Sequence, residues 1–155
     1  MKKQLQSFRY ALVGIGTAVR TEAHLRFHIV AAVYVSAFAA IAGFSAAKWA
    51  VLLLFIAAVL ALEMINTAIE SVCNLVTRDY HPLVKLAKDL AAGAVLTVAA
   101  AAAVTGVVFF FNSEVLDKTA EFFAAYPVAL VPLCLSVPAA VWFVWKGPGR
   151  NNKTK

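Results

Sequence analysis

The stretch VLALEMINTAIESVCNLV, residues 59–76, decides how this chain folds. It is apolar enough to cross a bilayer, yet it carries Glu63, Asn66 and Glu70. Offsets of three and seven residues at 100° each put these three within about 60° of one another on a helix, as one carboxylate-amide-carboxylate stripe. Asn74, eleven residues after Glu63, falls on the same stripe. A carboxylate at the bilayer centre costs about 2.5–3.5 kcal/mol even on lenient insertion scales, so two on one helix face require a partner or a task. The stripe therefore reads as a site.

The rest of the chain shares the apolar background. Of its 155 residues, 63% are hydrophobic and 14% charged, with a mean hydropathy of +0.82. These values lie outside the range of soluble globular domains and inside that of small membrane proteins, so an all-α integral membrane fold is expected. Four apolar segments can be read, at 29–44, 49–76, 90–111 and 122–145. The first is short for a hydrocarbon core about 30 Å thick, which asks for roughly 20 residues. It is expected to extend into Leu25 and Phe27 at one end and into Ala46 and Ala47 at the other. The fourth contains Pro127, Pro132 and Pro138 and reads as a kinked fourth span. MKKQLQSFRYALVG has a basic start but no uninterrupted apolar core followed by a small-residue cleavage site, so no cleavable signal peptide is expected.

Basic residues set the expected orientation. With the amino terminus in the cytoplasm, the cytoplasmic side carries Lys2, Lys3, Arg9, Arg20, Arg26, Arg78, Lys85, Lys88, Lys146, Arg150, Lys153 and Lys155, twelve of the fourteen Lys and Arg. Lys48 and Lys118 fall outside, and the outer loop NSEVLDKTAE is acidic. This bias predicts a multi-pass protein of the cytoplasmic membrane with both termini inside. The net charge of +6 and pI near 9.6 then report topology and anionic headgroups. No aromatic pattern or motif supports nucleic acid as a partner.

Ahead of the first span, Phe8, Ala11, Leu12, Ile15 and Val19 recur at helical spacing opposite Arg9 and Arg20, the pattern of an amphipathic helix lying in the headgroup layer. Such a helix either only tethers the chain or also covers a site. GIGTAV lacks the third glycine of a dinucleotide motif and follows no strand, so it carries no binding reading.

Depth sorts the polar groups. Counted from Trp49 at the outer face, Glu63 lies roughly 21 Å down and Glu70 about 31 Å down, at the inner boundary. Lys88 and Asp89 immediately precede the third span and belong at the level of Glu70. Glu22 and Arg26, four apart on one helix face before the first span, belong there too. Three helices thus bring acids and bases to the depth where lipid hydroxyls meet cytosolic solutes. Plainer readings exist: Glu70 with Lys88, or Glu22 with Arg26, can be ion pairs that only anchor a helix. Glu63 is too deep for a short carboxylate to snorkel easily. His24 and His28 have the i, i+4 spacing of zinc ligands, but no third ligand accompanies them on that helix, so they read as interfacial histidines. His81 before Pro82 reads as part of a loop. Cys73 and Cys134 are not expected to form a disulfide. Ala99 to Ala103, with Gly93 and Gly106, read as residues that permit close helix packing.

TEAHLRFH, then ALEMINTAIESVCNLV, then YHPLVKLAKDLAAGAVL, in this order and spacing, resemble the prokaryotic diacylglycerol kinase family of small membrane lipid kinases. The resemblance covers about residues 5–111, leaving 112–155 as an extra outer loop, a fourth transmembrane helix and a basic cytoplasmic tail. The HPLVKLAKDLAAGAVL form looks closest to the Gram-positive branch, whose members prefer undecaprenol. The resemblance implies a homotrimer of three-helix subunits, each with an amino-terminal surface helix, and ATP with Mg2+ bound at the cytoplasmic face between subunits. By position, Glu22 and Glu70 resemble the family's magnesium ligands, Glu63 its catalytic base, and Asn66 the partner of that base. Lys88 and Asp89 resemble its phosphate-side and supporting residues. Asn74 departs from the pattern, standing where the family often has aspartate near the nucleotide or metal.

The residues suit that chemistry on their own terms. A lipid alcohol must lose its proton as the γ-phosphoryl group arrives, and a carboxylate at the depth of Glu63 can accept it. Magnesium prefers oxygen ligands, which one or two carboxylates and a triphosphate supply. Lys88 can neutralise phosphate charge as it develops during a loose in-line transfer. Undecaprenol and diacylglycerol both remain open as the acceptor, since a bilayer-facing pocket reads chain shape through apolar residues. Two other classes also place acids in spanning helices. A small transporter would ordinarily show internal repeats and broken helices, neither of which is visible. A non-catalytic membrane scaffold would account for the extra span. That span lacks acids, so a chain ending near Asn112 is expected to keep its activity within roughly tenfold, at most about 1.4 kcal/mol in the barrier.

Overall fold

The computed structural model describes residues 2–77 and 79–147, without the side chains of Lys2 and Lys3. Arg78, Arg150, Lys153 and Lys155 of the expected basic side lie outside the described residues, as does the rest of the tail after Gly147. Among the described residues every regular element is helical: α1 (Lys2–Thr21), α2 (Ala23–Ile41), α3 (Ala46–Val76), α4 (Pro82–Phe110), α5 (Ser113–Ala125) and α6 (Leu130–Lys146), the last entered through a 3-10 turn at Pro127–Ala129. Helices α2, α3, α4 and the segment Pro127–Lys146 are long and apolar enough to cross a membrane. The fold is thus all-α and multi-pass, with α1 as an amino-terminal amphipathic helix whose Leu5, Phe8, Leu12 and Ile15 remain exposed. On a soluble protein that row would have no partner; in a headgroup layer it has one.

The 31 residues of α3 and 29 of α4 make helices of roughly 46 and 43 Å, well beyond a hydrocarbon core of about 30 Å. The excess is where Glu70, Asn74, Lys88 and Asp89 stand. Pro82 opens α4 at a position whose N–H has no helical partner to lose, so His81 becomes the capping position of that helix.

The α2–α3 turn differs from expectation. Helix α2 extends towards its start, through Phe27 and Leu25, but stops at Ile41 and does not run into Ala46 and Ala47. Gly43 adopts φ 66°, its N–H donates to the Ala40 carbonyl at 3.2 Å, and the Phe44 N–H donates to the Ala39 carbonyl at 3.1 Å. This is the paired hydrogen bonding of a left-handed helix stop, which needs a residue without a Cβ. Ser45 then caps α3 by accepting from the Lys48 N–H. Phe44 packs into a cluster with Ala39, Ala42 and Val115, flanked by Trp49, Phe109 and Phe110. The Lys48 ammonium sits 5.2 Å from the Phe44 ring centroid, a cation–π contact. Small alanines let the helix backbones approach here, which is how apolar helices gain contact in lipid.

The segment NSEVLDKTAE, expected as an outer loop, is helical from Ser113. Asn112 caps α5 by accepting from the Val115 N–H at 3.1 Å and donates its amide to the Phe109 carbonyl at 2.7 Å, tying the end of α4 to the start of α5. Its charged residues sit i, i+4 on the exposed side, where the Lys118 ammonium meets Glu114 at 2.7 Å. That hydrogen bond, with the lysine charge, holds the Glu114 carboxyl below the ordinary carboxylate range. Phe122 and Phe123 belong to α5, so the fourth span begins at Pro127 and not at 122. Pro132 lies in the first turn of α6 and Pro138 in its interior.

Helix α6 packs along α2, where the Tyr34 and Ser136 hydroxyls meet at 2.7 Å. The expected close packing at Gly93 and Gly106 is not found within one chain, because a Cβ built at either would meet nothing within 4 Å. Gly93 is exposed, while Gly106 lines the apolar space between α2, α3 and α4. Cys73 and Cys134 are free.

Candidate active site

The polar stripe of α3 grades from buried to exposed along the helix. Glu63 is 7% exposed, Asn66 and Glu70 are half-buried, and Asn74 is exposed. Each member has a partner. Glu63 Oε1 lies 3.2 Å from His28 Nε2 on α2, and the His28 ring stands edge-on to Phe27 with centroids 5.4 Å apart. The Asn66 amide donates to Glu70 Oε1 at 3.2 Å. Asn66 Oδ1 is buried with no hydrogen-bond partner, so an acceptor stands ready in the middle of the stripe.

Helix α4 contributes from across the turn. The Lys88 ammonium donates to Asn74 Oδ1 at 2.7 Å, and Lys85 pairs with Asp89 one helical turn on. Glu70 with Lys88 is therefore not the pair that forms: Glu70 goes to Asn66 and Lys88 to Asn74. Its partner is thus a neutral amide, and among the described residues Lys88 forms no ion pair.

Glu22 is the one residue between α1 and α2. It is half-buried in extended backbone (φ −101°, ψ 115°), and its side chain makes no capping bond. Among the described residues no hydrogen bond or ion pair joins it to Glu70, Asn66 or Lys88 of the same chain. Nor, among the described residues, does it form the ion pair with Arg26 of the plainer reading. The Arg26 guanidinium turns instead to backbone carbonyls of Val19, Arg20 and Val144. One chain thus assembles the α3–α4 part of the site, while Glu22 stands on a separate junction.

Sequence reasoning overlooked His28 as the partner of Glu63. Counting away from the α2–α3 turn would have found it: His28 lies 14 residues before Ala42 and Glu63 18 residues after Ser45, a difference of roughly 6 Å, or one helical turn. His28 also lines an apolar cavity of about 620 Å³ between α2, α3 and α4, together with Phe27, Val59, Leu60, Ala99 and Phe109. Hydrocarbon is the natural content of such a space, whose lining includes the polar residues His28, Tyr34 and Thr105, and Glu63 adjoins it through His28.

The donor set suits a hard cation held partly by something else. No group of three His, Cys, Asp or Glu side chains converges among the described residues, which disfavours a zinc site closed by the protein. Glu22 and Glu70 offer hard oxygen, the kind and number of ligand that magnesium takes from protein when phosphate and water complete its shell.

The family model for prokaryotic diacylglycerol kinases matches residues 9–110. The chain is 37% identical over 110 residues to a Bacillus subtilis undecaprenol kinase, covering 71% of this chain and 89% of that protein. It is 46% identical over 103 residues to a Synechocystis diacylglycerol kinase, covering 66% of this chain and 59% of that one. No solved structure matches the chain significantly. From within α1 to the last turn of α4, with the polar stripe of α3 inside the matched region, the chain belongs to the prokaryotic diacylglycerol kinase family and is a membrane-embedded lipid kinase.

Proposed function

We propose that this protein transfers the γ-phosphoryl group of ATP to the hydroxyl of undecaprenol at the cytoplasmic face of the cytoplasmic membrane, with both termini inside. The observation that carries the reading is the buried Glu63 carboxylate, paired to His28 at the edge of an apolar cavity. The lipid chain occupies the apolar space and presents its hydroxyl to Glu63, which accepts the proton as the oxygen attacks. His28 engages Oε1, leaving Oε2 to receive that proton and fixing the carboxylate's orientation. Lys88, held by a neutral Asn74, meets the negative charge of the transferring phosphoryl group. Asn66 orients Glu70 through its amide, its own buried Oδ1 being left without a hydrogen-bond partner, and Asp89 steadies Lys85 beside the nucleotide. Glu22 and Glu70 would hold Mg2+, which when bound neutralises the triphosphate oxygens. Because Glu22 meets neither Glu70 nor Lys88 within one chain, the site is completed between subunits of a homotrimer, whose contacts cover exposed faces such as that of Gly93.

Undecaprenol is favoured by the HPLVKLAKDLAAGAVL form of residues 81–96 and by a match that spans 89% of the Bacillus protein. Diacylglycerol is the second reading, favoured by the higher identity, 46%, to the Synechocystis protein. Labelled ATP offered to the purified protein with each lipid, the products being resolved by chromatography, decides between them. Transfer to undecaprenol at least tenfold above diacylglycerol, a barrier difference of about 1.4 kcal/mol, is expected. The reverse preference selects the second reading, and no transfer to either lipid removes both.

A further inference from the structure

Arg26 is the largest fully buried side chain among the described residues, at 2% exposure. Its Nε and Nη2 both donate to the Val144 carbonyl, at 3.1 and 3.0 Å. Its Nη1 donates to the Val19 carbonyl at 3.0 Å and the Arg20 carbonyl at 3.1 Å. Most of the guanidinium's donors thus end on backbone oxygen, and it forms no ion pair among the described residues. Val19 and Arg20 stand in the last turn of α1 and Val144 in the last turn of α6. The cation therefore sits where the negative ends of two helix dipoles converge, and these dipoles replace a carboxylate counter-ion. Shifting either helix end would leave a buried charged donor without its acceptor, a costly defect that pins the geometry.

Gly147 closes the junction. It has φ +56°, and a Cβ there would come within 2.8 Å of Arg26 Cζ and 2.9 Å of Nη1. The guanidinium lies against backbone where a larger residue has no room.

Glu22 adjoins this junction. It follows the two α1 carbonyls that Arg26 holds, and its own carbonyl accepts from the Arg26 N–H at 3.3 Å. The family match ends at residue 110, so the Val144 acceptor comes from a part of the chain that the family core does not contain. We propose that Arg26 is a positioning residue through which the added helix α6 holds Glu22 in place for the metal–nucleotide site. The proposal rests on the reading of Glu22 as a magnesium ligand. It also revises the expectation that the fourth span is dispensable packing: α6 carries no chemical group of the site, but it completes the support of one.

The test uses the full chain. Gly147→Ala and Arg26→Lys are each titrated with magnesium at saturating ATP, beside Glu22→Gln and Ser136→Ala, the last removing the other α2–α6 polar contact. Gly147→Ala and Arg26→Lys are expected to raise the magnesium concentration for half-maximal activity by about tenfold, the low end of what losing an outer support of a metal ligand costs. The lipid KM should be unchanged, and Ser136→Ala should match wild type. A purely structural role would lower the yield of folded protein without moving the magnesium midpoint. If Gly147→Ala and Arg26→Lys overlay wild type while Glu22→Gln is shifted, or if Ser136→Ala shifts as much as they do, the proposal is overturned and the reading of Glu22 stands. If Glu22→Gln is not shifted either, the reading of Glu22 fails and takes the proposal with it. Should the two junction variants not fold, hydrogen exchange on the wild-type protein decides. Coupling is reciprocal, so magnesium with a non-hydrolysable ATP analogue must slow exchange in residues 144–147. Exchange there that ignores the nucleotide overturns the proposal.

Discussion

His28 Nε2 on α2 lies 3.2 Å from Glu63 Oε1 on α3, which joins the two helices at the deepest polar point of the stripe. The contact accounts for a carboxylate kept inside a spanning helix, since a partner offsets part of its desolvation. It engages one of the two carboxylate oxygens, Oε1.

Glu63→Gln keeps the shape and the contact to His28 but cannot accept a proton. Folding and assembly should be retained, and phosphoryl transfer should fall by roughly 10²–10⁴-fold, the range for losing a general base. Steady-state turnover of a well-folded variant measures this. Turnover near wild type would remove Glu63 from the chemistry.

His28→Ala removes the orienting partner but not the base. We expect kcat to fall by about tenfold, or 1.4 kcal/mol in the barrier, with the KM for ATP unchanged, because His28 lines the apolar cavity while Lys88 is engaged with Asn74. A loss as large as that of Glu63→Gln would assign the proton transfer to His28 itself.

The magnesium reading is tested at Glu70. Glu70→Gln deletes a hard anionic oxygen while preserving a bond to Asn66, so the magnesium concentration needed for half-maximal activity should rise. Titration curves that overlay wild type would make Glu70 a structural residue.

Asn112→Ala separates fold from site. It removes the α5 cap and the bond to Phe109, at a cost of about 0.5–2 kcal/mol for the cap. Thermal unfolding in detergent should begin earlier, while lipid phosphorylation per folded molecule should match wild type. Lost activity in a folded variant would place the α4–α5 corner in the mechanism.

Much of this protein is legible in one dimension. Bilayer thickness converts directly into helix length, so composition alone yields the membrane class and the four spans. The 100° helical step likewise places Glu63, Asn66, Glu70 and Asn74 on one face without any tertiary information. Local stops such as Gly43 are harder to read, because α2 could extend either way until the left-handed turn and the Phe44 contact chose one end. Helix α5 was hidden because its charged residues resemble those of a loop until their i, i+4 pairing is seen.

Sequence determined which residue types lie at which depth; tertiary structure decided who meets whom. Lys88 took Asn74 and not Glu70, Glu63 took His28, and Arg26 turned from Glu22 to the carbonyls of α1 and α6. The reason is physical. Helix period and bilayer depth are set by each segment alone. Partner choice depends on the rotation and shift of one helix against another, set by packing across the whole bundle. The Arg26 junction shows this most clearly, since its carbonyl acceptors are groups that every residue carries and that no sequence pattern marks.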